Sequence, residues 1–305
     1  MSVLSVIFGI LVTVSGAFSV ALGRDLYKNR KDFSAVNPLR FMVVGFVTNF
    51  FDALGIGSFA QLAALFKFFK MVPDRIIPGT LNVSCCIPVI LEALIFMTII
   101  EVDPLTLTAM IVSATAGAFI GAGVVAKLPE KKVQLYMGIA LLVVAMLILA
   151  GLLNIMPVGG EAISLEGHSL LVGIVGNFVL GALMTIGIGL FAPCMALVYL
   201  LGLSPRVAFP IMMGSCAFLQ PIASFKFISE GAYDRKASLW ITLTGAAGVL
   251  IAAYIVKSLP LTTLKWIVVC IIIYTGGRML YDSFRHNNKA DGEDGVAKAI
   301  ASELE

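Results

Sequence analysis

The chain has 305 residues, 59% of them hydrophobic and only 13% charged, against about 25% charged in an ordinary soluble domain. A soluble fold of this length could not cover so much apolar surface, and the formal charge of +3 is small and says nothing about nucleic acid, which is not among the expected partners. Two histidines, His168 and His286, and five cysteines inside apolar stretches leave no material for a zinc site, a His-based triad or a disulfide framework. No metal, no cofactor and no enzymatic chemistry are expected.

In chain order, the first apolar run covers 3–22, and its positive charges follow the run instead of preceding it. It therefore reads as a retained helix and not as a cleavable signal. Segment 23–39 is a basic loop. Further apolar runs lie at 41–66, 76–100, 105–126, 133–153, 169–201, 207–228, 238–256 and 261–281, each near the roughly 20 residues that one helical span needs or longer. The linker 154–168 carries Pro157, Gly159 and Gly160. The charged tail 282–305 is expected to be solvated chain with a frayed helix over 296–304. The domains follow as 1–39 (first helix and basic loop), 40–155 (repeat one), 156–168 (external linker), 169–281 (repeat two) and 282–305 (tail).

Two of the long runs are interrupted, by Gly55-Ile56-Gly57-Ser58-Phe59 and by Gly187-Ile188-Gly189-Leu190-Phe191. These motifs lie 132 residues apart, and at that offset 12 of the 36 positions in 43–78 match 175–210. Pro73 falls on Pro205 and Pro78 on Pro210. Shared apolar composition could give scattered Leu and Val matches, but not paired glycines and prolines in register, so the chain contains an internal duplication.

Cytoplasmic loops are enriched in Lys and Arg. If every run crosses the membrane, the basic residues divide 12 to 9 between the two sides, which is hardly a bias. If the two Gly-interrupted runs are re-entrant hairpins, the division becomes 18 to 3, leaving only Arg206, Lys257 and Lys265 outside. The predicted fold is thus all-α and polytopic, with two inverted-topology repeats. Each repeat is a broken-helix hairpin followed by three spans, and an extra N-terminal helix precedes them. Inverted repeats with broken helices are a recurring plan of secondary transporters.

The paired Gly-Ile-Gly-x-Phe segments, each trailed by its prolines, resemble the TauE/SafE sulfite exporter family of membrane permeases over about 40–281. The resemblance implies transport of a small anion, such as sulfite or an organosulfonate, across a bacterial inner membrane. Pro193 stands where repeat one has Gln61, so the two hairpins need not be equivalent. An anion channel or a signalling component on the same scaffold is the alternative. The expected partners are the anion, the lipid bilayer and, as an open matter, further copies of the chain.

A broken helix leaves backbone N–H groups unpaired, which a membrane protein tolerates only against protein or a wet cavity. The half-helices starting at Ser58 and Leu190 would aim positive dipole ends at the tips, forming an anion site without a buried Lys or Arg. The candidate site residues are Gly55, Gly57, Ser58, Asn49 and Gln61 from repeat one, with Thr185, Gly187, Gly189 and Leu190 from repeat two. Asn82, Ser84, Ser215 and Gln220 lie on the helices after the hinges. Asp52, on the same helical face as Asn49, is the candidate coupling residue, because a membrane carboxylate is costly unless it faces a cavity or partner. Glu92, after Pro88 in the third run, is the second carboxylate inside a span, or else sits near the outer interface.

Overall fold

The computed structural model describes residues 3–156, 159–255 and 262–303. Pro157, Lys257 and the side chain of His286, all named above, lie outside the described set, as do the side chains of Lys289 and Lys298, two of the basic residues in the charge division. Among the described residues, eleven α-helices follow in order: α1 (Val3–Lys28), α2 (Pro38–Ala53), α3 (Ser58–Phe68), α4 (Ile77–Ile99), α5 (Pro104–Val125), α6 (Glu130–Leu152), α7 (Gly167–Met184), α8 (Phe191–Leu200), α9 (Pro205–Ser229), α10 (Arg235–Ile255) and α11 (Thr262–Glu303). A 3-10 turn, Asp74–Ile76, precedes α4. Among the described residues, eight helices are long and apolar enough to cross a membrane, whereas α3 and α8 are short apolar pieces. α11 continues through 282–303, where the sequence reading expected mostly irregular chain; Ala, Lys and Glu there favour helix.

Local chemistry sets the helix starts. Asn37 caps α2 through its side chain, which accepts from the Leu39 N–H, and Pro38 occupies the first turn. Asp103 caps α5 by accepting from the N–H and hydroxyl of Thr106, and these bonds hold its half-buried carboxyl below the usual carboxylate range. Proline is favoured at such a first position because its missing N–H would be unpaired anyway. Inside α4, Pro88 withdraws the donor that would pair with the Ser84 carbonyl, and Thr242 Oγ1 of α10 donates to that carbonyl instead at 3.0 Å.

α4 and α9 pack against each other at the centre. α2 pairs with α10, α5 with α7 and α6 with α11, while α10 also covers α4 and α5 covers α9. Exchanging the two repeats maps this set of neighbours onto itself. The α2–α10 and α5–α7 seams are both closed by glycine. A Cβ on Gly181 would stand 2.0 Å from the Ala114 carbonyl oxygen, and one on Gly45 would stand 2.7 Å from Ile241 Cα. In lipid, such close approach supplies the dispersion contacts that hydrophobic burial cannot.

The hydrogen bonds sort the helix termini into two ends of the bundle. At the first end, the Asp234 N–H before α10 donates to Thr80 Oγ1 near the start of α4, and Lys236 Nζ reaches the Ser34 carbonyl just ahead of α2. Lys67, at the far end of α3, pairs with Asp74 before α4 and, at 2.8 Å, with Asp282 of α11. Gln134, early in α6, also donates to Asp74. α2 thus begins, and α3 finishes, at this same end. At the second end, the linker is laid across the end of α8 and the start of α9: Gly160 N–H donates to the Leu203 carbonyl and Ser204 N–H to the Ala162 carbonyl. Leu165 N–H donates to Thr106 Oγ1 near the start of α5. α7 begins and α8 finishes there, so the two hairpins open to opposite ends.

Candidate functional site

The hairpin tips are built by glycines that hold φ of +88° at Gly55 and Gly57, and of +106° and +76° at Gly187 and Gly189. Residues with a Cβ rarely adopt this region, so the chain can turn here only as sequenced. The two tips meet reciprocally. A Cβ on Gly57 would stand 3.5 Å from Phe191 Cβ, and one on Gly189 would stand 3.1 Å from Phe59 Cβ. The N-termini of α3 and α8 therefore face one another across the contact, each glycine covered by the aromatic ring that opens the other half-helix.

The tips differ chemically. In repeat one the Asp52 carboxylate reaches forward across the break, accepting from the Ser58 N–H at 2.9 Å and from Ser58 Oγ at 2.5 Å. Gln61 Nε2 reaches back to the Gly57 carbonyl at 2.8 Å. The start of α3 is thus capped by an internal carboxylate. In repeat two, Met184, Leu190 and Pro193 hold the corresponding positions, and the N-cap Leu190 makes no side-chain capping bond to α8.

A small cavity of about 20 Å³ sits where the tips meet. Its lining includes Asp52, Gly57, Ser58, Gly189, Leu190 and Gln220, with no Lys, Arg or His. That volume holds about one water molecule and is too small for an oxyanion. A larger cavity, of about 570 Å³, lies beside it toward the second end of the bundle. Its lining runs from Asn154 and Lys265 inward to Ile56 and Ala192, two residues that also line the small cavity. Those two side chains form the partition between vestibule and tip.

Of the sequence-derived candidates, Gly57, Ser58, Gly189, Leu190 and Asp52 come together at the tip cavity. Gly55 turns toward Phe209 and the vestibule, and Gly187 packs against Met137 and Leu81. Asn49 donates to the Gly45 carbonyl and packs on Gly245 of α10, while Thr185 Oγ1 donates to the Ala182 carbonyl. Neither Asn49 nor Thr185 lines the cavity. Glu92 is fully buried, with neither carboxylate oxygen partnered among the described residues. α4 runs through the centre of the bundle, and the face that carries Glu92 is covered by its neighbours. Gln220, on α9, enters the cavity lining through tertiary packing alone, because its polar character was legible in the sequence but its orientation was not.

A bundle of apolar helices with two broken hairpins meeting tip to tip defines a multi-pass membrane protein of the transporter type. The family model for "Sulfite exporter TauE/SafE" matches residues 1–148 and 169–302. The chain belongs to that family. No curated protein and no solved structure gave a match to the chain.

Proposed function

We propose that the protein is a secondary transporter that exports a small anion, such as sulfite or an organosulfonate, by alternating access across the inner (plasma) membrane. The N-terminus would lie outside and the C-terminus in the cytoplasm, with the two repeats inverted in the bilayer. The observation that carries this reading is the meeting of two half-helix N-termini, one from each end of the bundle, at a cavity lined without cations. At about 1.5 Å per residue, α3 and α8 are roughly 16 and 15 Å long. Set end to end they match the roughly 30 Å hydrocarbon core, so a junction near the midplane fits their lengths.

In this reading Asp52 is the coupling residue. Its carboxylate occupies the donors an anion would use at the start of α3, so cargo and carboxylate compete for the same N–H and hydroxyl. A proton on Asp52 removes both the competition and the like charge. At the first end Lys67 bridges Asp74 and Asp282 beside a cavity of about 700 Å³ that shares no lining residue with the tip cavity, while the vestibule on the second end reaches Ile56 and Ala192 at the tips. That is the pattern of a conformer closed toward the cytoplasm, with the cargo site occluded until the tips part.

Purified protein in proteoliposomes, given radiolabelled sulfite and an imposed pH gradient, should move the anion against its own gradient, and a proton uncoupler should abolish accumulation. Flux that only equilibrates sulfite and ignores the uncoupler would make the protein a channel. Absence of flux would leave a signalling role.

A further inference from the structure

Gln220 is 0% exposed, and neither its Nε2 nor its Oε1 has a hydrogen-bond partner among the described residues. Other buried polar atoms lack partners, among them Glu92 and Asn49 Oδ1, but those two side chains do not line the tip cavity and Gln220 does. Leaving both halves of a buried amide unmade is expensive, so a group that later supplies the missing bonds is implied at this position. The corresponding position of repeat one is Pro88, which has no amide to offer. Repeat one thus contributes the Ser58 hydroxyl and the Asp52 carboxyl, and repeat two contributes bare N–H groups and Gln220.

The chemistry of this set restricts its ligand. An amide offers two N–H donors and one carbonyl acceptor, and the cavity lining has one carboxylate and no fixed positive charge. Neutral donors can stabilise one delocalised negative charge in a low-dielectric site. Desolvating a second charge costs more than in proportion, and no cation lines the cavity to offset it, so a doubly charged oxyanion is disfavoured relative to a singly charged one. Resting on the transport reading above, we infer that Gln220 is the side chain of repeat two that holds the cargo, and that with it the site selects singly charged oxyanions over doubly charged ones.

The test uses the full-length protein in detergent, with methanesulfonate as a probe of fixed single charge and sulfate as one of fixed double charge. Anion-dependent thermal shift and direct binding would be measured for wild type and Gln220→Leu. Wild type should bind methanesulfonate and discriminate strongly against sulfate. Gln220→Leu should lose roughly tenfold to a hundredfold in methanesulfonate affinity, the range for removing a hydrogen bond to a charged group. Its unliganded melting temperature should stay level or rise, because an unpartnered amide has been replaced by an apolar group. A glutamine with a purely structural role would give the opposite, a lowered melting temperature with unchanged affinity, and would overturn the assignment. Equal binding of sulfate and methanesulfonate by wild type would overturn the charge selection. Binding of neither anion by wild type would instead bring down the transport reading on which the inference rests.

Discussion

Asp52 holds Ser58 by two hydrogen bonds across the break between α2 and α3, one to the backbone N–H and one to the hydroxyl. A carboxylate therefore fills the position at a half-helix N-terminus where an external anion would otherwise bind. Gating of this contact by a proton would convert a capping interaction into a coupling device. Asp52→Asn keeps the size of the side chain and one acceptor but removes the titratable charge. Proton-driven accumulation should be lost and anion exchange retained, as measured by uptake into proteoliposomes with and without a pH gradient. Unchanged accumulation at every pH would remove Asp52 from coupling.

The glycine tips make a graded prediction. Gly57→Ala forces a Cβ into the positive-φ region, which costs on the order of 1–3 kcal/mol, yet its Cβ would meet Phe191 at an ordinary distance of 3.5 Å. Gly189→Ala carries the same backbone cost and must also displace Phe59, 3.1 Å away. Melting temperatures should fall further for Gly189→Ala, and transport should fail first there. Gly57→Val and Gly189→Val should both abolish anion-dependent stabilisation while the protein still inserts.

The ion pairs at the first end should behave as a latch. Lys67 bridges Asp74 and Asp282, tying the end of α3 to the hinge before α4 and to α11. Lys67→Met keeps the apolar stem and removes the bridge, so the first end should open more readily. Cysteines placed at 70 and 278, beside this network, should then react faster with a thiol reagent supplied from the cytoplasmic side of inverted vesicles. Identical labelling rates in wild type and Lys67→Met would show that the bridge does not govern opening.

Seam packing gives a stability test independent of transport. A Cβ at Gly181 would stand 2.0 Å from a backbone oxygen of α5, and backbone cannot swing aside as a flexible side chain can. Gly181→Ala should therefore lower stability by roughly 2 kcal/mol or more through forced separation of α5 and α7. Gly123→Ala, on the facing helix α5 and with nothing within 4 Å of the added carbon, should be neutral or stabilising by up to about 1 kcal/mol. Thermal unfolding in detergent compares the two.

Sidedness follows from the charge division. In intact cells, single cysteines at 127–132 should resist an impermeant thiol reagent in a cysteine-free background, and single cysteines at 161–166 should label. Ready labelling at 127–132 would put the first end of the bundle outside and reverse the proposed orientation.

Much of this architecture was determined by the sequence alone, because its signals are one-dimensional. Hydropathy marks the spans, and the 132-residue offset pairs Gly55 with Gly187 and Pro73 with Pro205 whatever the packing. The breaks at Gly57 and Gly189 were legible for the same reason, since a local backbone requirement leaves a local residue. Which polar groups reach the tips was decided only by tertiary structure. Thr185 and Asn49 lie within a few residues of the breaks, yet each donates along its own helix, to the Ala182 and Gly45 carbonyls, and neither lines the tip cavity. Gln220 and Ser58 are far apart in the chain and share one cavity, because α9 crosses the bundle centre. Helical rotation and crossing geometry set where such a side chain points, and neither is encoded in spacing along a single segment. The capping of α3 by Asp52 needed the break between α2 and α3 to fold back on itself, bringing a carboxylate to a helix start six residues downstream.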